Sequence, residues 1–223
     1  MLASGVQLDV GSRTRAILRA EHIKIEGLSP LSFQVGGGEC LALEAPSGAG
    51  KTRLLRALAD LDPSTGRVFV DGAERSEMPA TAWRAMVRYV SAEPAWWTGT
   101  ARDALPAKKD QQTRAVRIVS ALGLTPADLD KDLATLSTGQ RHRLALARSL
   151  VDDPRVLLLD EPTTGLDPAS AALVEELIRY RLLSGSIVIL ASHDAALRQR
   201  LARARLQIGK RPPPQQSAFR AQP

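Results

Sequence analysis

The sequence predicts an α/β fold in which a parallel sheet ends at a phosphate-binding site. Short apolar segments of strand length alternate with longer segments of helical periodicity along most of the chain. A glycine-bearing loop, EAPSGAGKT at 44–52, joins one apolar segment to a helical one. Another apolar segment, RVLLLDEP at 155–162, ends in two acids. Acids at the carboxyl end of a buried strand lie where α/β sheets bind their ligands.

The individual elements follow from local periodicity. Strands are expected where apolar and polar residues alternate or where a short run is wholly apolar, and helices where apolar residues recur every three to four positions. The expected strands are AILRAEHIKI (16–25), LSFQV (31–35), CLALEA (40–45), GRVFVDG (66–72), VRYVS (87–91), RVLLLDEP (155–162), SIVILASHD (186–194) and, at an edge, RLQIG (205–209). The expected helices are KTRLLRALADL (51–61), most of 100–151, and PASAALVEELIRYRLL (168–183).

The helix at 51–61 is expected to bury one face, formed by Leu54, Leu55, Leu58 and Leu61. Together the elements predict one nucleotide-binding domain at 20–209, with a helical insert at about 94–150. An N-terminal extension at 1–19 precedes it. A Pro- and Gln-rich basic tail at 210–223 follows and is expected to be disordered.

The composition indicates a soluble protein without a disulfide framework. Cys40 is the one cysteine, and the longest charge-free run, 27–38, is far shorter than a membrane span. From Arg198 onward there are seven basic and no acidic residues, whereas 1–197 carry 23 basic and 24 acidic ones. Basicity confined to one end is not the pattern of a nucleic-acid-binding protein. It fits either a solvated tail or an attraction to anionic lipid.

The loop at 44–52 resembles the phosphate-loop pattern G-x-x-x-x-G-K-[ST]. Lys51 is expected to reach the β- and γ-phosphates of a nucleotide, and Thr52 to place its hydroxyl on Mg²⁺. Backbone N–H groups of the loop and the start of the following helix are expected to face phosphate oxygens. The loop residues concerned are Ser47, Gly48, Ala49 and Gly50.

Ala45 occupies the position where this pattern has its first glycine. If the backbone there has a positive φ, the methyl group costs roughly 1–2 kcal/mol. If φ is negative, the cost is near zero. In both cases the phosphate-binding atoms remain, so the loop is expected to bind a nucleotide.

Acidic and imidazole side chains follow two buried strands. Asp160 is expected to hold Mg²⁺ through its water shell, and Glu161 to polarise a water for attack on the γ-phosphate. The strand in SIVILASHD leads to His193, whose neutral imidazole is suited to hydrogen-bond the γ-phosphate and the attacking water.

Three further segments resemble motifs of the ABC-type ATPases. LSTGQ at 136–140 is similar to the signature LSGGQ, with Thr138 in place of the first glycine. Its Ser137 lies 23 residues before Asp160, as in that family. EPTTGLDPAS resembles the D-loop, with Asp167, and ASHD resembles the H-loop. The resemblance covers about 20–209 and implies a P-loop NTPase core with an antiparallel β subdomain and a helical insert.

The resemblance also implies a mechanism and partners. Two subunits pair head to tail, as a homodimer or heterodimer, and Ser137, Gly139 and Gln140 of one clamp the ATP held by Lys51 of the other. Here the helix after the signature, expected to begin near Gln140, presents its N-terminus to the anion. ATP and Mg²⁺ are the implied cofactors. The implied function is ATP hydrolysis that powers a transporter from the cytoplasmic face of a membrane, with the transmembrane subunit on a separate chain.

Two other functions stay open at this point. One is a soluble ABC ATPase outside transport, although such proteins usually carry paired domains, long insertions or coiled coils. The other is a nucleotide-gated interaction protein with weak turnover. This second alternative is suggested by Ala92, which stands where the family has a glutamine that senses Mg²⁺ and the attacking water. Glu93 is adjacent, but strand neighbours face opposite sides, so it substitutes only if the backbone bends, which Pro94 permits.

Aromatic residues raise two further points. The family stacks adenine on an aromatic residue after the first strand, whereas EHIKIEGLSP offers only His22. Trp96 and Trp97 are adjacent in a chain with 4% aromatic residues. Either they anchor the transmembrane subunit, which in the family docks beside this segment, or both pack inside the helical insert.

Overall fold

The computed structural model describes residues 16–96, 99–106 and 108–209 of the 223 in the sequence. The proposed tail, Trp97 and most of the proposed N-terminal extension lie outside these residues. The first strand begins at Ile17, inside the segment predicted as that extension.

Two sheets form the framework, and the predicted α/β class is confirmed. The antiparallel strands are β1 (Ile17–Lys24), β2 (Leu31–Gly36), β4 (Thr65–Val70) and β5 (Ala73–Glu74). The parallel strands are β3 (Cys40–Glu44), β6 (Val87–Val90), β7 (Val156–Asp160), β8 (Ile187–Ala191) and β9 (Ala204–Gln207). The antiparallel sheet has the order β2-β1-β4-β5 and the parallel sheet the order β6-β7-β8-β3-β9. β9 is an edge strand, as predicted.

Seven α-helices lie in the described part of the chain. They are α1 (Lys51–Leu58), α2 (Ala80–Met86), α3 (Lys109–Ala121), α4 (Pro126–Leu129), α5 (Thr138–Leu150), α6 (Pro168–Leu183) and α7 (Ala195–Leu201). The bounds of α6 agree with those predicted from the sequence. None of these helices is long and apolar enough to cross a membrane.

Helix α1 ends earlier than its leucine periodicity predicts. Leu54, Leu55 and Leu58 are buried, but Leu61 is 41% exposed, so its predicted place on the core face is wrong. The chain leaves the helix because Asp60 adopts a left-handed φ of 59°. The N–H of Leu61 then donates to the carbonyl of Arg56, a pairing that closes the end of a helix.

Apolar residues cover both faces of the parallel sheet. In β7, Leu157 and Leu159 pack with α3, α5 and α6, whereas Leu158 packs with α1 and the antiparallel sheet. This alternation explains why the segment reads as a continuous apolar run, since a strand buried on both faces has no polar side.

Strand register brings the predicted site segments to one edge. Leu43 of β3 pairs with Ala191 of β8, and Ala191 pairs with Asp160 of β7. The phosphate loop, Asp160 with Glu161, and the segment that contains His193 therefore leave the sheet at the same level. This edge, with the side chains just beyond it, is called the carboxyl edge below.

Candidate active site

The phosphate loop uses glycine where its backbone requires it. Gly48 has φ of 69° and Gly50 has φ of 100°, both in the left-handed region. Gly50 is also the N-cap of α1, and a Cβ there would lie 2.9 Å from Leu28 Cδ2. Any other residue at position 50 would therefore meet both backbone strain and a clash.

Ala45, in contrast, does not have a positive φ. The methyl group at the first-glycine position consequently carries no backbone penalty. The Ala45 carbonyl accepts a hydrogen bond from Lys51 Nζ at 3.0 Å. This bond holds the ammonium group against the strand exit, beside the N-terminus of α1.

The two residues predicted to hold Mg²⁺ lie in contact. Thr52 Oγ1 donates to Asp160 Oδ2 at 2.7 Å, although the two are far apart in sequence. Asp160 is 5% exposed. A hydroxyl and a carboxylate are the hard oxygen ligands that suit Mg²⁺. The described residues contain no cluster of three or more His, Cys, Asp or Glu that could hold a metal. A small number of protein ligands is the usual arrangement for Mg²⁺ beside a nucleotide, because phosphate and water supply its other ligands.

Tyr89 joins this pair and was missed by the sequence analysis. Its hydroxyl donates to the same oxygen, Asp160 Oδ2, at 3.0 Å. Burial raises the pKa of Tyr89 to about 12, so the phenol remains a donor at neutral pH. The alternation of side chains along β6 could have indicated this residue. It places Tyr89 on the same side of the sheet as Val87, the side that faces α1.

Glu161 is held by one carboxylate oxygen. Oε2 accepts from Thr164 Oγ1 at 3.1 Å, from Ser192 Oγ at 3.3 Å and from the His193 N–H at 3.1 Å. Oε1 is buried and has no hydrogen-bond partner among the residues that the structure describes. His193 Nε2 lies 3.8 Å from Oε1, and the His193 side chain is 64% exposed.

The backbone at Glu161 is strained, since its φ is 49° without glycine. Thr164, one of its anchors, is also in contact with α5. The imidazole of His142 is buried and hydrogen-bonds the Thr164 backbone, and burial lowers the pKa of His142. The anchors at Thr164, Ser192 and His142 were not found from the sequence.

The signature segment forms the first turn of α5, which begins at Thr138, two residues before the expected start near Gln140. Ser137 is the N-cap: its Oγ accepts from the Gln140 N–H at 3.1 Å, and Gln140 Oε1 accepts from the Ser137 N–H at 2.9 Å. These two reciprocal bonds between Ser137 and Gln140 form a capping box. Gly139 lies inside the helix, and a Cβ there would be 3.3 Å from Leu166 Cδ2.

The signature turn, defined here as residues 137–140, is tied to the helical insert. Gln140 Nε2 donates to Asp128 Oδ1 at 3.2 Å. The Lys131 ammonium, with the Thr125 N–H and hydroxyl, lowers the pKa of Asp128 to about 2. Asp167 is similarly engaged, because it caps α6 by accepting from the Ser170 N–H at 2.9 Å. Nucleotide contacts by the signature turn and Asp167 stay predictions.

The chain bends directly after β6, which ends one residue earlier than the strand expected at 87–91. β6 ends at Val90, and Ala92 and Glu93 lie in a bend. The Glu93 N–H donates to Ser91 Oγ at 3.3 Å, and Glu93 is exposed. The opposite-facing rule for strand neighbours therefore does not apply to Ala92 and Glu93, and the bend on which substitution by Glu93 depends is present; the substitution itself stays a prediction.

Trp96 packs, partly buried, against the apolar cluster that includes the helical insert. The guanidinium carbon of Arg148 lies 4.8 Å from the centre of its ring. Packing inside the insert thus accounts for this ring, while its role toward a partner stays a prediction. His22, which the sequence offers as a candidate to stack on adenine, is exposed; its φ is 48° and its N–H donates to Ser32 Oγ.

Comparison with known proteins assigns the chain to a family. Residues 28–164 match the family model described as ABC transporter. Protein STAR1 of Oryza sativa subsp. japonica is 36% identical over 208 residues, which are 90% of this chain and 59% of that protein. Nod factor export ATP-binding protein I of Rhizobium johnstonii is 36% identical over 183 residues, covering 78% of this chain and 58% of that one.

A solved structure titled as the ATP binding subunit of an ABC transporter has the same fold. Its TM-score is 0.78 at 19% identity, and the match covers 87% of this chain and 90% of that one. The chain therefore belongs to the ABC transporter family, as the sequence motifs indicated. It spans about three fifths of the length of the two curated relatives named above.

Proposed function

We propose that this chain binds ATP with Mg²⁺ and hydrolyses it, and that hydrolysis powers a transporter whose transmembrane subunit is a separate chain. The site of action is then the cytoplasmic face of a membrane. The relative named Nod factor export ATP-binding protein I supports nucleotide binding by this chain. The arrangement of Glu161 is the observation on which the hydrolytic step depends.

Glu161 is suited to act as a general base. Three donors hold Oε2, and this fixes the carboxylate while Oε1 stays buried without a hydrogen bond from any described residue. A buried hydrogen-bond acceptor such as Oε1 needs a donor, and a water molecule bound beside it can be that donor. We assign Oε1 the role of accepting that proton as the water attacks the γ-phosphate.

Other residues of the carboxyl edge divide the remaining tasks. The backbone of Ser47, Gly48, Ala49 and Gly50 cradles phosphate, and Lys51 exchanges its bond to Ala45 for phosphate oxygens. Thr52 and Asp160 hold Mg²⁺, which when bound neutralises charge on the phosphates. We assign to His193, which is exposed beside Glu161, the role of donating to the γ-phosphate.

The signature turn is assigned to a second copy or a related subunit. The capping box uses the N–H of Gln140, while the first N–H groups of a helix have no intrahelical partner. Those of Thr138 and Gly139 are available to an anion that arrives from another chain. We propose that Ser137, Gly139, Gln140 and Asp167 contact ATP held by Lys51 of that chain, in a homodimer or heterodimer.

A nucleotide-gated protein with weak turnover is the second candidate. It is favoured by Ala92, which has no side chain able to order a water, and by the exposed position of Glu93 nearby. Both candidates require ATP binding and pairing, and they differ in the rate of phosphate release by the unmodified chain.

Replacing Glu161 by glutamine tests the proposal. Glu161→Gln keeps the shape but removes the base, so we expect ATP affinity to persist, phosphate release to fall by ~10²-fold or more, and an ATP-bound dimer to accumulate. Glu77→Gln, at an exposed position of the antiparallel subdomain, is the matched control and should behave as the unmodified chain. Phosphate release and size-exclusion chromatography with Mg-ATP are the measurements. Unchanged turnover in Glu161→Gln would remove Glu161 from this role.

A further inference from the structure

Tyr89 is the one described residue of β6 whose side chain hydrogen-bonds Asp160. The bond joins the phenol to Oδ2 at 3.0 Å, and Thr52 Oγ1 donates to the same oxygen at 2.7 Å. Two hydroxyl donors thus converge on one oxygen of a carboxylate that is 5% exposed. Thr52 comes from the phosphate loop and Tyr89 from the neighbouring strand, so the two approach from different elements.

Two donors on one oxygen restrict the rotation of a carboxylate. Asp160 is the last residue of β7, and β6 pairs with β7 on one side, with Val90 opposite Leu159. Its side chain is held from the α1 side by both hydroxyls, which leaves Oδ1 as the oxygen that neither engages. Groups that hydrogen-bond a metal ligand fix its orientation and commonly change metal affinity by about 10–100-fold when removed.

The Tyr89 ring is itself held in place. It packs against the apolar cluster between the two sheets and is hydrogen-bonded by the Ser91 side chain. The guanidinium carbon of Arg56 lies 6.0 Å from the ring centre. The hydroxyl therefore has a defined position from which to orient Asp160.

We propose that Tyr89 is a positioning residue that orients the Asp160 carboxylate for Mg²⁺ in the nucleotide complex. The inference rests on the proposed function, since it assigns Asp160 to the metal. It also links the segment that leads to Ala92 with the metal site, through Tyr89, which lies three positions earlier in β6.

Tyr89→Phe removes the hydroxyl and keeps the ring. The full chain is used with ADP as the probe, so that neither hydrolysis nor the γ-phosphate enters the measurement. The dissociation constant is measured in Mg²⁺ and in EDTA, and the ratio of the two reports the contribution of the metal. We expect affinity in EDTA to stay within about twofold, and the gain from Mg²⁺ to shrink about tenfold. Tyr180→Phe, the same change at the other tyrosine, should leave both values unchanged.

A double-mutant cycle separates orientation from general packing. If Tyr89 acts through Asp160, the double variant Tyr89→Phe/Asp160→Asn should gain the same ADP affinity from Mg²⁺ as Asp160→Asn alone. The inference would be overturned if Tyr89→Phe gained as much ADP affinity from Mg²⁺ as the unmodified chain does. It would also be overturned if the two substitutions reduced that gain independently, with additive effects in the double variant. A chain that binds no ADP in either condition would instead contradict the proposed function.

Discussion

The carboxyl edge and the signature turn both offer groups that suit a nucleotide, but they differ in how their own hydrogen bonds are arranged. At the carboxyl edge, Glu161 keeps one buried oxygen without a hydrogen bond from the described residues. At the signature turn, the side chains of Ser137 and Gln140 bond to each other and to Asp128. The first region has the arrangement that the proposed chemical step requires, whereas the second is a capped helix end that presents backbone N–H groups.

This difference suggests that the two regions have different tasks. A base must be fixed yet unsatisfied before its substrate water arrives. A clamp for an anion from another chain needs a rigid N-terminus, and a capping box provides it. Changes to the carboxyl edge should therefore alter turnover, and changes to the cap should alter stability and pairing.

The largest effect in this comparison is expected at Thr164. Thr164→Val removes one of three donors to Glu161 Oε2 and keeps the side-chain shape, so kcat should fall about tenfold, as for loss of a hydrogen bond to a charged group. The KM for ATP should change little, because Thr164 is not proposed to bind the nucleotide.

Thr163→Val is the matched control. Thr163 is the immediate neighbour of Thr164 but is not one of the three donors to Glu161 Oε2. It should retain the kcat of the unmodified chain. Steady-state phosphate release gives both constants. An unchanged kcat in Thr164→Val would mean that Ser192 and the His193 N–H suffice to hold the base.

A smaller effect is expected at Ser137. Ser137→Ala removes the N-cap of α5, so the free energy of unfolding should fall by about 1 kcal/mol. ADP affinity of the isolated chain should not change, because the cap does not belong to its own phosphate site in this account. Denaturant unfolding and nucleotide titration provide the two readouts.

Ser149→Ala, late in the same helix, is the control for this change. Ser149 Oγ donates to the Ala145 carbonyl within the helix and caps nothing, so its removal should cost little stability. A loss of ADP affinity in Ser137→Ala at unchanged stability would mean that the signature turn serves the nucleotide of its own chain.

Sequence reasoning reached the parts of the site that depend on local pattern. The glycines of the phosphate loop, the two acids at the end of β7 and the bounds of α6 follow from spacing and periodicity. Leu61 was assigned wrongly because its place depends on the left-handed turn at Asp60, which a periodic pattern does not report.

The contacts that position the site depend on long-range packing. Tyr89 meets Asp160 only because β6 and β7 are neighbours, although 71 residues separate them. Ser192 meets Glu161 across β7 and β8 in the same way. Periodicity identifies which face a residue occupies but not which strand lies beside it, so these partners were not predictable from the sequence alone.

The most direct test of the account is to mix two inactive variants. Lys51→Ala disables the phosphate loop and keeps the signature turn. Gly139→Asp keeps the loop but places a negative charge at the start of α5, where a partner's phosphate is expected. In a head-to-tail pair, the loop of the second variant meets the intact turn of the first. Each variant alone should release almost no phosphate, and the mixture should recover measurable release. Full activity of Gly139→Asp alone, or no recovery on mixing, would contradict a site shared between two chains.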